Sequence, residues 1–134
     1  MLPLEFIIAG PPVSLQTRNR SRLQAWKADV RRAATNVLAP GLLPTDDLVK
    51  IMITYYYDTS APDVDNIIKP IQDALVALIY TDDCQVTDAI SRKRNLNGYF
   101  QIRGMSPILA EGFCSGKEFL HITVDIAPDP RELN

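Results

Sequence analysis

The spacing of apolar positions changes along the chain, and the changes mark its elements. Leu4–Ala9 is a short, nearly unbroken apolar run ended by Gly10-Pro11-Pro12, which cannot continue a hydrogen-bonded ladder, so a first strand is expected there. A polar loop, Val13–Asn19, follows. From Arg20 to Leu38 the apolar residues Leu23, Trp26, Val30, Ala33 and Val37 recur every three or four positions. That is one face of an amphipathic helix, stopped by Pro40-Gly41. Asp47–Tyr57 alternates Ile51, Ile53 and Tyr55 against Met52, Thr54 and Tyr56, which reads as a strand, and Asp58–Pro62 as a loop of breakers. A second helix is expected over Asp65–Ile79, with Ile67/Ile68, Ile71, Ala74/Leu75 and Leu78/Ile79 as its stripe. Pro70, lacking an N–H, is expected in its second turn with a mild bend. Gln85–Asn95 and Phe119–Ile126 are the last two strands, separated by a glycine-bearing stretch, Leu96–Glu118, expected to include a long mobile loop.

The order βαβαββ predicts an α+β fold: one domain over residues 1–134, a mixed four-stranded sheet with two main helices packed on it. A chain of 134 residues with 46% hydrophobic positions suits that, since a domain of this size buries about two-thirds of its unfolded surface. No apolar run approaches the roughly 20 residues that span a bilayer. The opening Met1-Leu2-Pro3-Leu4-Glu5 lacks the basic start of a signal peptide. Two cysteines, Cys84 and Cys114, make no disulfide framework, so reduced thiols in a cytoplasm are expected.

A net charge of −2 excludes a histone-like protein that holds polyanions by bulk charge. The average conceals a segregation. Ser14–Ala34 carries Arg18, Arg20, Arg22, Lys27, Arg31 and Arg32 against the single acid Asp29. Asp58–Asp88 carries seven aspartates against Lys69 alone, and Arg92-Lys93-Arg94 follows at once, with Arg103 further on. Acid set between two basic stretches fits a metal site flanked by phosphate contacts, although a solvated surface with block-wise signs fits the charges equally.

The densest polar string is Asp63-Val64-Asp65-Asn66, Lys69, Asp73 and then Asp82-Asp83-Cys84-Gln85-Val86. Carboxylates two apart in an extended segment project from the same side. Clustered carboxylates repel unless a cation neutralises them. Oxygen-only donors select a hard ion, Mg²⁺ or Mn²⁺, over zinc. Bland readings stand beside this one. Asp63 or Asp65 can cap the second helix, Asp82-Asp83 can form a turn, and Lys69 can build an i,i+4 ladder with Asp65 and Asp73. Trp26 reads as core, His121 as a surface residue of an alternating strand, and Cys84 as a small buried residue.

Taken whole, Asp63-Val64-Asp65-Asn66-(x₂)-Lys69-(x₃)-Asp73-Ala74-Leu75 followed by Asp82-Asp83-Cys84-Gln85-Val86 closely resembles the signature of the RusA-type Holliday-junction resolvases. Gly10-Pro11-Pro12-Val13-Ser14 and the basic, Trp-containing helix are similar to that family's N-terminal region. The resemblance implies a homodimeric, Mg²⁺-dependent endonuclease, with Mn²⁺ able to substitute. Such an enzyme nicks four-way DNA junctions symmetrically in recombination and repair and leaves 5′-phosphates. It implies Asp63, Asp65 and Asp83 as metal-binding carboxylates and Lys69 as the functional lysine, with Asp73 holding Lys69 and the roles of Asp82 and Gln85 open. A cytoplasmic, nucleoid-associated protein is expected, with no membrane partner, and a prophage origin is in keeping with it. Ala61-Pro62 stand where some relatives carry arginines. DNA contact is therefore expected from Arg18, Arg20, Arg22, Lys27, Arg92, Lys93 and Arg94, with Arg31 a further candidate. The competing classes are a non-catalytic junction-binding module and a metal-dependent phosphotransferase. The absence of a glycine-rich phosphate loop weakens the second of these.

Overall fold

The structure is a computed structural model describing residues 2–59 and 62–133; Ser60 and Ala61, from the loop before Asp63, lie outside the described residues, as do both terminal residues. Its elements run β1 (Leu4–Ala9), α1 (Arg20–Val37), β2 (Val49–Tyr57), α2 (Val64–Leu75), a 3-10 turn (Asp83–Gln85), β3 (Val86–Asn95), α3 (Pro107–Cys114) and β4 (Phe119–Ile126). The strands form one mixed sheet in the order β1-β4-β2-β3. β4 is antiparallel to both β1 and β2, whereas β3 runs parallel to β2 through the α2 crossover.

Strand alternation divides the side chains between two faces. On one face Phe6, Ile51, Ile53, Tyr55, Leu120, Ile122 and Val124 meet Leu23, Trp26 and Val30 of α1 and Ile67, Ile71 and Leu75 of α2. Fully burying one such aliphatic or aromatic side chain contributes about 1.5–3 kcal/mol, so this face supplies most of the cohesion. Trp26 is core, as expected, with no hydrogen-bond partner for its indole N–H. The other face carries a smaller aromatic cluster. Tyr56 stacks on Phe119 with ring centres 4.8 Å apart, and Phe113 and Phe100 abut them.

Two expectations need correction. Two main helices are expected and a third is present, α3, which lies within Leu96–Glu118 and is capped by the Ser106 hydroxyl on Leu109 N–H at 3.1 Å. Gly112 sits against the Phe119 ring, where any Cβ would collide, so this glycine is a packing device rather than a helix breaker. Second, α2 stops at Leu75 and not Ile79. Val76 turns extended and Ala77 takes a positive φ of 65°. Two interactions fix that end: the Arg31 guanidinium donates to the carbonyls of Ala74 (2.9 Å) and Val76 (2.8 Å), and the Tyr80 hydroxyl donates to Gln72 O at 2.6 Å. Ile79 and Tyr80 are still fully buried, so a turn satisfies the apolar stripe that reads as further helix.

Candidate active site

Pro70 lies inside α2. Having no N–H, it leaves the carbonyl four residues earlier, that of Asn66, without its helical donor. The N–H of Leu15 takes that place at 3.0 Å. The polar loop carrying Arg18 is thereby tied to the first turn of α2, beside Asp63 and Asp65. Arg18, Arg20 and Arg22 are exposed and make no ion pair among the described residues.

Asp63 occupies the N-cap position of α2, yet its side chain accepts no capping hydrogen bond. Asp65 lies in the first turn, where its charge suits the helix dipole. Both are exposed, and neither is engaged in an ion pair among the described residues. The N-terminal end of α2 rests on β3, where the Ser91 hydroxyl donates to Val64 O at 2.6 Å.

The second motif block divides its labour. Asp82 caps the 3-10 turn by accepting from Cys84 N–H at 3.0 Å. Gln85 is the buried clamp. Its Oε1 accepts from the N–H groups of Thr81 (2.8 Å) and Asp82 (2.9 Å), and its Nε2 donates to the carbonyls of Thr45 (2.8 Å) and Asp47 (2.9 Å). Four bonds from one side chain fix the turn against the segment before β2. They leave the Asp83 carboxylate turned toward α2.

There it meets Lys69. The Lys69 ammonium donates to Asp83 Oδ2 at 2.6 Å and pairs with Asp73 Oδ1 at 2.9 Å, and Asp73 Oδ2 stands 3.8 Å from Lys27 Nζ. Charges therefore alternate along a row: Lys27, Asp73, Lys69, Asp83. The Asp83 hydrogen bond, reinforced by that of Asp73, raises the Lys69 ammonium above its ordinary value; the same Lys69 bond holds Asp83 below the usual carboxylate range. Lys69 chooses Asp73 over Asp65 for its i,i+4 partner.

Several expected site residues fall elsewhere. Arg92-Lys93-Arg94 is not one patch: Lys93 pairs with Tyr55 and shares the helix-covered face, whereas Arg92 and Arg94 pair with Thr54 and Tyr56 and share the other. Arg31 is spent on the end of α2. Cys84, expected to be buried, is exposed, and Asp82 beside it pushes its thiol up. His121 is not a free surface residue. It is half-buried with Nε2 2.6 Å from Glu5 Oε2, which also accepts from the Ser106 hydroxyl at 2.5 Å. Burial pushes the Glu5 carboxyl up, but the bonds from Ser106 and His121 outweigh it and hold the group low. This clasp joins β1, β4 and the head of α3.

A divalent cation would find oxygen-only donors here, with Asp63 and Asp65 unengaged. Among the described residues no three His, Cys, Asp or Glu side chains are grouped closely enough to hold a metal ion. The donor chemistry still fits magnesium, which is commonly held by one or two carboxylates completed by water and substrate phosphates.

The region thus brings together exposed carboxylates at the head of α2, a lysine held between two acids, and exposed arginines on the tethered loop and the first turn of α1. Residues 11–99 match the family model Endodeoxyribonuclease RusA. That match covers more than half of the 134 residues, and the chain belongs to the RusA endodeoxyribonuclease family, endonucleases that act on Holliday junctions. Comparison with curated proteins gives no match. The matched segment runs from the loop after β1 to just past β3, leaving α3 and β4 outside it. No described helix is long and apolar enough to cross a membrane.

Proposed function

We propose that the chain resolves four-way junctions as a Mg²⁺-dependent homodimer serving DNA recombination and repair, with Asp63, Asp65 and Asp83 as the carboxylates that would hold the cation. The observation that carries this reading is the contact of Lys69 with Asp83, made from the same helix, α2, whose N-terminal end carries the unengaged Asp63 and Asp65. Drawing the three acids together would set like charges against one another, a cost that a cation would offset, and Lys69 already supplies one positive charge at Asp83. When bound, the divalent cation would polarise the scissile phosphodiester and lower the pKa of an attacking water. Lys69, once released from Asp83, would neutralise the charge that grows on the phosphate. Arg18, Arg20 and Arg22 would hold the backbone beside it. Water attacks phosphorus in line and the bond to the 3′ oxygen breaks, leaving a 5′-phosphate and a 3′-hydroxyl. Two such sites related by a dimer axis match the symmetry of a four-way junction.

A second reading, a junction-binding module without turnover, draws on the lack of a preassembled acid trio among the described residues. Incubating the protein with a labelled four-way junction and a linear duplex, in Mg²⁺ or EDTA, separates the two. Paired symmetric nicks confined to the junction in Mg²⁺ are expected. Binding without any nick would favour the second reading.

A further inference from the structure

The sheet face turned away from α1 and α2 carries a groove that the carboxylate–lysine row does not reach. Thr54, Tyr56, Arg92 and Arg94 floor it, His121 closes one side, and the stretch from Tyr99 to Arg103 forms the far wall around a cavity of about 390 Å³. Three arginines line it, and no carboxylate does. Arg92 donates through Nε and Nη2 to the Thr54 hydroxyl, at 3.1 and 2.9 Å, and Arg94 donates only to the Lys93 carbonyl at 3.0 Å. Neither these two nor Arg103 makes an ion pair among the described residues. Glu5, which is bonded to the groove residue His121, is committed to His121 and Ser106. The positive field is felt locally: burial pushes the Tyr56 phenol up, and Arg92 and Arg94 pull against it.

Two features point to a polymeric anion rather than a single small one. Arg92 and Arg94 are two residues apart on one strand, which sets their Cα atoms roughly 7 Å apart in a row, a comb for successive phosphates. Tyr99 is fully exposed at the groove and packs on nothing. An aromatic ring left in water beside guanidinium groups is a platform for an unpaired base, whose face is available only outside a duplex. Phe100–Arg103, the wall apart from Tyr99, lies beyond the segment matched to the family.

We propose that this groove binds a single-stranded stretch of DNA, with its phosphates on Arg92, Arg94 and Arg103 and a base on Tyr99, on the side of the sheet opposite the nicking site. The proposal rests on the reading of the chain as a DNA-acting enzyme but not on its chemistry. The test is fluorescence anisotropy of a short labelled oligothymidylate on the full chain, wild type against Arg94→Glu/Arg103→Glu and Tyr99→Ala, with circular dichroism and melting as fold controls. The double reversal should weaken binding at least tenfold and reduce the log–log salt slope by about 1.4, two contacts at about 0.7 each on single strands. Tyr99→Ala should weaken it about tenfold with the slope unchanged. Absence of oligothymidylate binding by wild type, or equal binding by folded groove variants, overturns the proposal. Junction nicking on the same preparations reports separately on the nuclease reading: if no nick forms while the groove variants still lose the oligonucleotide, that reading falls and the groove stands.

Discussion

The two faces of the sheet treat charge in opposite ways. On the helix-covered face the cations and anions are threaded alternately, Lys27 to Asp73 to Lys69 to Asp83, so every charge in the row has a neighbour of the other sign. On the other face Arg92, Arg94 and Arg103 stand together with no acid among the groove residues. A compensated row is quiet until one partner is drawn away. An uncompensated groove attracts anions from the start, and its pull weakens with salt. The first arrangement suits the exchange of partners that the proposed chemistry requires, the second the steady attraction of a polyanion.

Breaking the row should have the larger consequence. Lys69→Ala should lower junction nicking about 10²- to 10³-fold, the range expected when one fixed positive charge is removed from a developing anion. Junction binding measured by gel shift should stay close to wild type. Retention of most of the nicking rate would take Lys69 out of the reaction. A smaller effect is expected from the loop tied to α2 and the first turn of α1 that follows it. Replacing Arg18, Arg20 and Arg22 by Ala should flatten the salt dependence of junction affinity, each lost duplex phosphate contact taking about 0.9 from the log–log slope. A slope equal to wild type would mean that the loop and the start of α1 face away from DNA.

The periodicity of the chain reveals most of the architecture. β1 spans its apolar run, β4 spans its alternation, and α1 follows its stripe to Val37. What it does not reveal lies where two physical explanations share one pattern. Leu78 and Ile79 continue the stripe of α2, yet Arg31, forty-three residues from Ala74, draws off the last carbonyls and the chain turns there. The string Arg92-Lys93-Arg94 reads as one basic patch until strand alternation sends its members to opposite faces. The glycines after Asn95 read as a loop because nothing local says that Gly112 makes room for Phe119. At the site, the acids and Lys69 are legible from their spacing. Gln85 is legible as a motif position, but its hold on Thr45 and Asp47, about forty residues away, is not, and no local signal marks the clasp of Glu5, Ser106 and His121, whose partners lie up to 116 residues apart.

The far face can be tested by stability alone. Gly112→Ala forces a methyl group against Phe119 and should cost about 1–3 kcal/mol, the usual penalty of overpacking, seen as a lowered Tm. The smallest effect is a pH dependence. The Glu5 carboxyl is held below its ordinary value of 4.5. Its contribution to stability is therefore complete above that value and lost as pH falls through the lower folded-state value. Glu5→Gln should make the acid limb of the Tm–pH curve shallower and leave the neutral region nearly parallel to wild type. Identical acid limbs would show that the clasp does not titrate with folding.

The comparison finally turns on Asp83, the acid that Gln85 and Asp82 hold in place and that Lys69 faces. The decisive measurement is single-turnover cleavage of a labelled four-way junction in Mg²⁺ by wild type and Asp83→Asn, with binding measured on the same samples. The account predicts paired symmetric nicks with 5′-phosphate ends for wild type. For Asp83→Asn it predicts no detectable nicking and junction affinity equal to or above wild type. Nicking by Asp83→Asn within a few-fold of wild type would contradict it.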